Sequence, residues 1–251
     1  MKLSREQFDA HADKYASSAV HQFGASLPVL LEFAAPTPQD VALDVATGTG
    51  NTAFTLAPHV SRVVGLDVSR GMLEHARARA EKEGVLNVAF QEGEAEHLPF
   101  PDASFSLVTS RHAPHHFHDI PAFLAEVHRV LAPGGRFVMA DQITPHASML
   151  EWVDVWQRIH DPSHFRQRTV EEWHALARES SFCVVQERIV PYALPFEWWM
   201  SGCPTEALEA NRQHARTASL EVRTALGLEF DVAGNVATHL EPMLVVRLDR
   251  A

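Results

Sequence analysis

The chain has 251 residues, 46% of them apolar and 21% charged, so it can bury a sizeable core as one large domain or two small ones. Lysine and arginine number 21 against 32 aspartates and glutamates, and the resulting net charge of −11 disfavours nucleic acid as a partner. The spacing of Cys183 and Cys203 matches neither a disulfide framework nor a zinc site. The sequence shows no export signal and no run of 18 apolar residues. We therefore expect a cytoplasmic protein without stable membrane insertion.

The segment before the first predicted strand reads as helical over residues 4–35, with a break at Pro28. The residues that follow, 35–38 with sequence APTP, form a linker. From about residue 41 to 141, short β-branched runs alternate with helical patterns. Strands separated by crossover helices predict a parallel sheet that is covered on both faces.

The clearest predicted helix covers residues 119–131. Its apolar residues recur at spacings of three and four, and a Pro-Gly-Gly sequence at 133–135 stops it before the next strand. The apolar positions are Ile120, Phe123, Leu124, Val127 and Leu131.

The last hundred residues contain two more strand candidates, CVVQERIVPY and MLVVRLDR, separated by a helical stretch from about 203 to 226. The less regular helical segment 145–180 precedes them and predicts a lid beyond the sheet. We expect one domain over 1–251, made of a helical cover (1–36), a cofactor-binding core (40–142), the lid (145–180) and closing strands with a helix (181–251).

A glycine turn follows the first strand, in the sequence LDVATGTGN. Gly48 and Gly50 allow a sharp bend and close approach of the backbone to a ligand. Asp67 lies 19 residues after Gly48 at the end of the second strand, where its carboxylate can accept hydrogen bonds from a ribose diol. Together these features predict a nucleoside-type ligand at the carboxyl ends of the strands.

Two nucleoside cofactors fit this pattern, a nicotinamide dinucleotide and S-adenosylmethionine. Asp44 stands in the first strand close to the turn, and a carboxylate there opposes a pyrophosphate. A cofactor with an ammonium and a sulfonium group tolerates or uses that charge. The alternative role for Asp44 is a purely structural bond to the loop backbone.

Four ordered motifs, LDVATGTGN, VVGLDVSRGML, FQEGEAEHLPFPDASFSLVTSRHAPHHFHD and FLAEVHRVLAPGGRFVMAD, resemble the class I S-adenosylmethionine-dependent methyltransferase family. Within that family they are most similar to the ubiquinone and menaquinone biosynthesis C-methyltransferase-like group. The resemblance covers about residues 40–142.

The resemblance implies S-adenosyl-L-methionine as cofactor and gives individual residues a role in holding it. The methionine and ribose portion would be lined by Ala46, Thr47, Gly48 and Gly50, with Asp44 near the amino group. The ribose and adenine would be contacted by Asp67, Val68, Met72, Glu94 and Ala95. Glu94 stands where the family usually has an aspartate, which lengthens that side chain by one methylene. The pocket would be closed beside the sulfonium by Ser110 and Arg111.

A histidine cluster in RHAPHHFHD follows the fourth strand, at the edge where a cofactor methyl group would point. We predict His116 or His115 as the general base or as a group that orients the acceptor, because imidazole titrates near the working pH. The alternative is one histidine against the adenine and the others solvated. Adjacent side chains in a loop rarely converge on one ion, so no metal site is predicted.

Two further segments have both a functional and a packing interpretation. Tyr15 in the first helical segment could cover the cofactor carboxylate or simply pack on the core, and His164 with Arg166 could reach the acceptor from the lid. Four tryptophans and Phe196 could form an apolar acceptor pocket or belong to the core. The tryptophans are Trp152, Trp156, Trp198 and Trp199.

These observations predict an α/β protein with a Rossmann-like, doubly wound, seven-stranded and mostly parallel sheet and helical lid segments. Its expected activity is methyl transfer from S-adenosylmethionine to a small apolar, aromatic or quinone-like acceptor (EC 2.1.1). The alternatives are a binding protein for S-adenosylmethionine or S-adenosylhomocysteine without transferase activity and, less favoured, a nicotinamide-dependent reductase. The sequence leaves open the acceptor, the methylated atom and any homo-oligomer.

Overall fold

A single mixed sheet runs through the computed structural model, which describes residues 24–250. Its strands are β1 Val41–Val45, β2 Arg62–Asp67, β3 Val88–Glu92, β4 Phe105–Arg111, β5 Leu131–Gln142, β6 Phe182–Pro195, β7 Glu229–Phe230 and β8 Val236–Arg250. They lie in the order β3-β2-β1-β4-β5-β8-β6, and the two-residue β7 pairs with β8 outside this path. The predicted seven-stranded path is confirmed, and β7 is an additional short strand that was not predicted.

The first five strands are parallel to one another, whereas β8 is antiparallel to β5 and to β6. Parallel neighbours require crossover connections. The helices that cross over or close the fold are α1 Ser26–Ala34, α2 Asn51–Leu56, α3 Arg70–Glu83, α4 Ile120–Val130, α5 Leu150–His160, α6 Val170–Glu179, α7 Phe196–Trp199, α8 Thr205–Arg216 and α9 Leu220–Ala225. The carboxyl ends of β1, β2, β4 and β5 therefore meet at one edge of the sheet.

Both faces of the sheet are covered by apolar side chains. One cluster joins α1, α5 and α7 to the sheet through Leu30, Trp156 and Phe196. The other joins α4 and α6 through Phe123 and Trp173. Burial on both faces explains why β1 and β2 read as nearly continuous apolar runs and not as alternating patterns.

Helix α4 confirms the most regular pattern in the sequence. The side chain of Asp119 caps it by accepting a hydrogen bond from the Ala122 backbone N–H at 2.9 Å. Phe123, Leu124 and Val127 are fully buried along one face. Leu131, which the pattern assigned to the helix, is instead the first residue of β5.

Pro28 does not break α1, contrary to the prediction. It is the third residue of the helix. A helix leaves the N–H groups of its first turn without intrahelical partners, so a proline there removes no hydrogen bond. The rest of the predicted cover, up to residue 23, lies outside the described residues, as does Tyr15.

The predicted lid over 145–180 divides into two parts. Helix α6 packs on the sheet beside α4, with Trp173 and Ala177 buried in the core. That half is a regular crossover helix and not a lid. The other half, which contains α5 and the loop to residue 169, lies near the ends of β5 and β8, where Ile143 bridges Arg168 and Gln157 bonds Glu241.

Within residues 24–250, none of the helices combines the length and apolar composition that a membrane span needs.

Thr169 begins α6 with a reciprocal capping box. Its hydroxyl accepts from the Glu172 N–H at 3.3 Å, and its own N–H donates to the Glu172 carboxylate at 3.0 Å. We expect Thr169→Ala to lower the free energy of unfolding by about 1 kcal/mol, because one N-terminal N–H loses its acceptor. Urea denaturation measures this, and Thr169→Ser should stay close to the natural protein. Equal midpoints for all three proteins would contradict the cap's contribution.

Candidate functional site

The glycine turn between β1 and α2 has left-handed backbone conformation at three of its residues. Ala46, Gly48 and Gly50 have positive φ angles of 55°, 54° and 86°. A Cβ on Gly50 would lie 2.7 Å from the ring of Phe54, whereas a Cβ on Gly48 would meet no atom of the described residues 24–250 within 4 Å. Gly50 is therefore required by packing, and Gly48 borders an open space above the loop.

Asp67 lies directly beside this turn, as predicted. One carboxylate oxygen accepts from the Gly48 N–H at 2.8 Å, and the other accepts from the Ser69 N–H at 2.9 Å. The parallel pairing of β1 with β2 produces this contact across 19 residues of sequence. Each carboxylate oxygen has two lone pairs, so Asp67 can hold the turn and still accept from a ligand hydroxyl.

Asp44 lies beneath the turn and is almost completely buried. Its two carboxylate oxygens accept hydrogen bonds from the hydroxyls of Thr47, at 2.6 Å, and Thr109, at 2.7 Å. Burial raises the pKa of Asp44 to about 6, against the opposing effect of the two hydroxyls. Asp44 thus fixes Thr47 through a side chain and not through the loop backbone; its contact with a cofactor amino group stays a prediction.

The residues predicted around an adenine follow the ends of β2 and β3. Met72 is buried in the first turn of α3, where its N–H donates to the Ser69 hydroxyl at 3.1 Å. Val68 is half-buried. Ala95 is buried, and Glu94 is half-buried in a short bridge to His97. These four residues lie next to the glycine turn and Asp67, at the same edge of the sheet.

Ser110 and Arg111 end β4. Successive strand residues point to opposite faces of a sheet, so the two side chains border different sides of the edge. The Ser110 hydroxyl is fully buried and has no hydrogen-bond partner among residues 24–250. The Arg111 guanidinium is buried against the hydroxyls of Ser26, at 3.4 Å, and Tyr192. Ser110 is therefore an unsatisfied polar group beside the candidate site, which is the condition a ligand would relieve.

The histidines after β4 do not form a solvated loop. His115 and His116 are buried in a short 3-10 turn, and their ring centroids are 4.1 Å apart. His118 is exposed, and its ring is tilted by 50° against that of Phe165, with centroids 4.3 Å apart. The alternative in which most of these histidines are solvated is therefore wrong for the two central ones.

His115 forms a close pair with Asp141 at the end of β5. Its Nδ1 lies 2.6 Å from the Asp141 carboxylate, and both side chains are buried. Burial alone would lower the pKa of His115, but Asp141, with Asp161 and Glu241, outweighs it and raises that pKa above its ordinary value. A carboxylate accepts, so Nδ1 carries the proton in this pair and Nε2 is the basic nitrogen.

His116 has the opposite electrostatic environment. Burial, together with the neighbouring His115 and His164, lowers its pKa to about 3 against the opposing charge of Asp161. Its Nδ1 lies 3.1 Å from the Ser163 carbonyl oxygen, which can only accept, so Nδ1 carries the proton. His116 is therefore a neutral imidazole at pH 7 and a much weaker base than His115.

The loop after α5 brings a third imidazole to this cluster. His164, which the sequence places in the predicted lid with a reach towards the acceptor, is buried, with its ring stacked 5.6 Å from that of His115. Its Nε2 lies 2.8 Å from the Asp154 carboxylate. The backbone N–H groups of Phe165 and Arg166 both donate to the His115 carbonyl oxygen, at 3.1 and 3.0 Å. The loop is thus part of the site.

Three further members of this cluster, Asp154, Asp161 and Ser163, were not predicted from the sequence. Asp161 holds the loop by accepting from the N–H and hydroxyl of Ser163 at 2.8 and 2.7 Å. Asp141 had a recognisable sequence signal, because it is the last residue but one of a strand parallel to β4. The loop residues had none, since their contacts depend on an irregular backbone. Within residues 24–250, no group of three or more potential ligands is arranged to hold a metal ion.

Most of the predicted aromatic pocket belongs to the core. Trp156, Trp199 and Phe196 are buried, and the rings of Trp156 and Trp199 stack at 5.0 Å. Trp152 is half-buried and stacks on Trp156 at 5.4 Å. Trp198 is 44% exposed and lies outside the stack. These stacked aromatic rings pack α5 and α7 into the core. The contacts therefore give no evidence for the predicted acceptor pocket.

Comparison with known proteins agrees with this geometry. Residues 43–139 match the family described as "Methyltransferase domain". The Bacillus subtilis (strain 168) protein named "Uncharacterized methyltransferase YcgJ" is 32% identical over 249 residues, which are 97% of this chain and 98% of that protein. Its crystal structure superposes with a TM-score of 0.85 at 31% identity, covering 90% of this chain and 97% of that chain. The Symbiobacterium thermophilum "Demethylmenaquinone methyltransferase" is 38% identical over 156 residues, 59% of this chain and 62% of that protein.

Proposed function

The chain belongs to the class I S-adenosylmethionine-dependent methyltransferase family, and on that premise we propose that it methylates a small apolar, aromatic or quinone-like acceptor and releases S-adenosylhomocysteine. One observation carries the proposal: a glycine turn held by Asp67 and a buried carboxylate-histidine pair occur at the same edge of one sheet. The first feature suits a nucleoside cofactor, and the second suits removal of a proton from an acceptor. Similarity to a demethylmenaquinone methyltransferase supports the quinone-like class.

The residues at the turn fit S-adenosylmethionine. Gly48 borders open space, so a ligand can approach the protein backbone of the turn closely. The carboxylate of Asp67 can accept hydrogen bonds from ribose hydroxyls. The unsatisfied hydroxyl of Ser110 lies at the end of the next strand. When bound, the cofactor supplies an electrophilic methyl group on a sulfonium. The adenine would be held by Val68, Met72, Glu94 and Ala95.

The protein's part in the reaction is to align the acceptor and to take its proton. We assign the base to Nε2 of His115, because Asp141 fixes the ring and the Nδ1 proton. Asp141 also stabilises the imidazolium that forms when an acceptor hydroxyl or acidic carbon loses its proton. His116 remains an orienting group, since its low pKa makes it a poor base.

Isothermal titration with S-adenosylmethionine, S-adenosylhomocysteine and NADH, run in parallel, tests this proposal. Binding of the two sulfur compounds without NADH supports it and justifies a screen of acceptors with labelled methyl groups. Binding of NADH alone would favour a reductase. Binding of the sulfur compounds with no methylated product across quinone-like acceptors would argue against the acceptor class.

The open space above Gly48 leads to a further prediction. We expect Gly48→Ala to weaken S-adenosylhomocysteine binding by about tenfold or more, or about 1.4 kcal/mol, because the new methyl group occupies that space. Titration calorimetry measures the effect.

Gly84→Ala is the matched control for this substitution. Gly84 also has a positive φ, 67°, and open space around a Cβ, but it lies at the far end of α3, about 20 Å along the helix from Asp67. An alanine in the left-handed conformation is strained by about 1–2 kcal/mol, and both variants carry this strain. Equal affinity in the two variants would remove Gly48 from the cofactor site.

A further inference from the structure

Arg168 is a buried cation that the proposed reaction does not use. It is only 7% exposed and lies in the loop that leads into α6. Its guanidinium lies 5.6 Å from the ring centroid of Trp173, and its Nη1 donates to the Arg166 carbonyl oxygen at 3.3 Å. Neither contact supplies a negative charge, whereas a guanidinium stays protonated in proteins and a buried charge needs a compensating one. The compensating charge therefore has to come from a carboxylate elsewhere in the fold.

Asp141 is the carboxylate that the strand pairing brings close to Arg168. Arg168 forms a parallel bridge with Ile143, which follows Asp141 by two residues. Side chains alternate along a strand, so Asp141 points to the same face as Met139 and Ile143, and Trp173 is buried on that face. Diagonal neighbours in a sheet, two positions apart, are separated by about 7–8 Å, which a long side chain can span. Arg168 and Asp141 are therefore diagonal neighbours on one face of the sheet.

The charges around Arg168 agree with this geometry. Burial lowers the pKa of Arg168, and Asp141 has the largest opposing effect among the surrounding charges. Asp141 is itself almost completely buried, so its negative charge is poorly screened by solvent. The other charged groups that face Arg168 are Asp154, Arg166 and Glu172.

Asp141 therefore lies between two groups that can carry positive charge. It holds Nδ1 of His115 at 2.6 Å, and it faces the guanidinium of Arg168. A permanent cation near this pair disfavours a second positive charge on His115, and a general base has to be unprotonated at the working pH. The other titratable groups that face His115 are His116, Asp161, His164 and Glu241.

We propose that Arg168 is a positioning residue for the base: its guanidinium keeps Asp141 ionised and restrains proton uptake by His115, so that Nε2 of His115 is free to accept a proton from the methyl acceptor. The inference rests on the proposed methyltransferase function and extends it to the control of its base. Arg168 acts through Asp141 and not by contact with the reacting atoms.

Arg168→Met tests this assignment, because methionine keeps an apolar chain against Trp173 and removes the charge. The protonation of His115 is followed by NMR of the imidazole nitrogens in protein with isotope-labelled histidine, and the His115 signals are identified by their loss in His115→Gln. We expect the titration midpoint of His115 to rise by about one pH unit in Arg168→Met, and the inflection of kcat against pH to rise with it. Arg168→Lys keeps the charge, so its midpoint should stay close to that of the natural protein. Arg168→Gln serves if the methionine variant does not fold.

The matched control is Arg166→Met. Arg166 belongs to the same loop, but its side chain is 42% exposed and pairs with Glu172, so its removal should leave the midpoint of His115 unchanged. An unchanged midpoint in a folded, uncharged Arg168 variant would overturn the proposal. So would equal shifts in Arg168→Met and Arg168→Lys, because loss of packing and not of charge would then be the cause. Failure of the natural protein to bind S-adenosylhomocysteine would instead count against the proposed function itself, since the NMR titration needs neither cofactor nor acceptor.

Discussion

Replacing His115 with glutamine should lower kcat by about 10²–10⁴-fold, the usual contribution of a general base. A carboxamide can still donate to Asp141, so the buried carboxylate keeps a partner, but it cannot take a proton from the acceptor. The affinity for S-adenosylhomocysteine should be unchanged, because the described side-chain contacts of His115 are with Asp141, His116 and His164 and not with the glycine turn. Initial rates with labelled S-adenosylmethionine, on an acceptor found by screening, measure the effect.

His118→Gln is the control for this loss. His118 belongs to the same loop but is exposed and contacts Phe165, so its replacement should leave kcat within about twofold. Equal kcat in both variants would remove His115 from the chemistry. A loss in His116→Gln as large as that in His115→Gln would show that the two imidazoles act as one unit.

The pH dependence of turnover offers a second check on His115. The active form is the neutral imidazole, so kcat should rise with pH as His115 loses its proton. Because Asp141 raises the pKa of His115, the inflection should lie above 6.5. Asp141→Asn removes the negative charge, and burial then dominates, so the inflection should move to lower pH. A merely structural Asp141 would lower kcat without moving the inflection.

The parts of the fold that the sequence predicts depend on local patterns. The spacing of Phe123, Leu124 and Val127 defines α4, and continuous apolar runs define the parallel strands. Asp67 meets Gly48 because parallel neighbours bring their carboxyl ends together, and this relation can be read from strand order. These predictions need no knowledge of irregular backbone.

The parts that could not be predicted depend on contacts between irregular segments. His164 meets Asp154 through a loop whose course is set by hydrogen bonds to the His115 carbonyl oxygen and to Thr144. No periodicity encodes such a path. Pro28 was misread because a proline in the first turn of a helix and a proline that ends one look alike in sequence. The sequence could not assign Trp156 to the core or to an acceptor pocket, because an apolar side chain suits either place.

Asp67→Ala should weaken S-adenosylmethionine binding by about 100-fold. Hydrogen bonds donated to a carboxylate are worth about 1.5–3 kcal/mol each, so loss of the ribose contacts corresponds to about 3 kcal/mol or more. The carboxylate also holds the turn through the Gly48 N–H, and a looser turn adds to the loss. Titration calorimetry measures the change. Glu92→Ala is the control, because Glu92 lies at the matching register position of β3 and pairs with Arg70.

The direct ribose contact can be separated from the loosened turn with a deoxy ligand. In the natural protein, the 2′-deoxy analogue of S-adenosylhomocysteine should bind about tenfold more weakly than the parent compound, since Asp67 loses one donor. In Asp67→Ala the two ligands should bind equally, because no carboxylate remains to distinguish them. A deoxy penalty that persists in the variant means that another residue reads the ribose and that Asp67 acts only on the turn. Unchanged affinity of Asp67→Ala for the parent compound would exclude Asp67 from the site altogether.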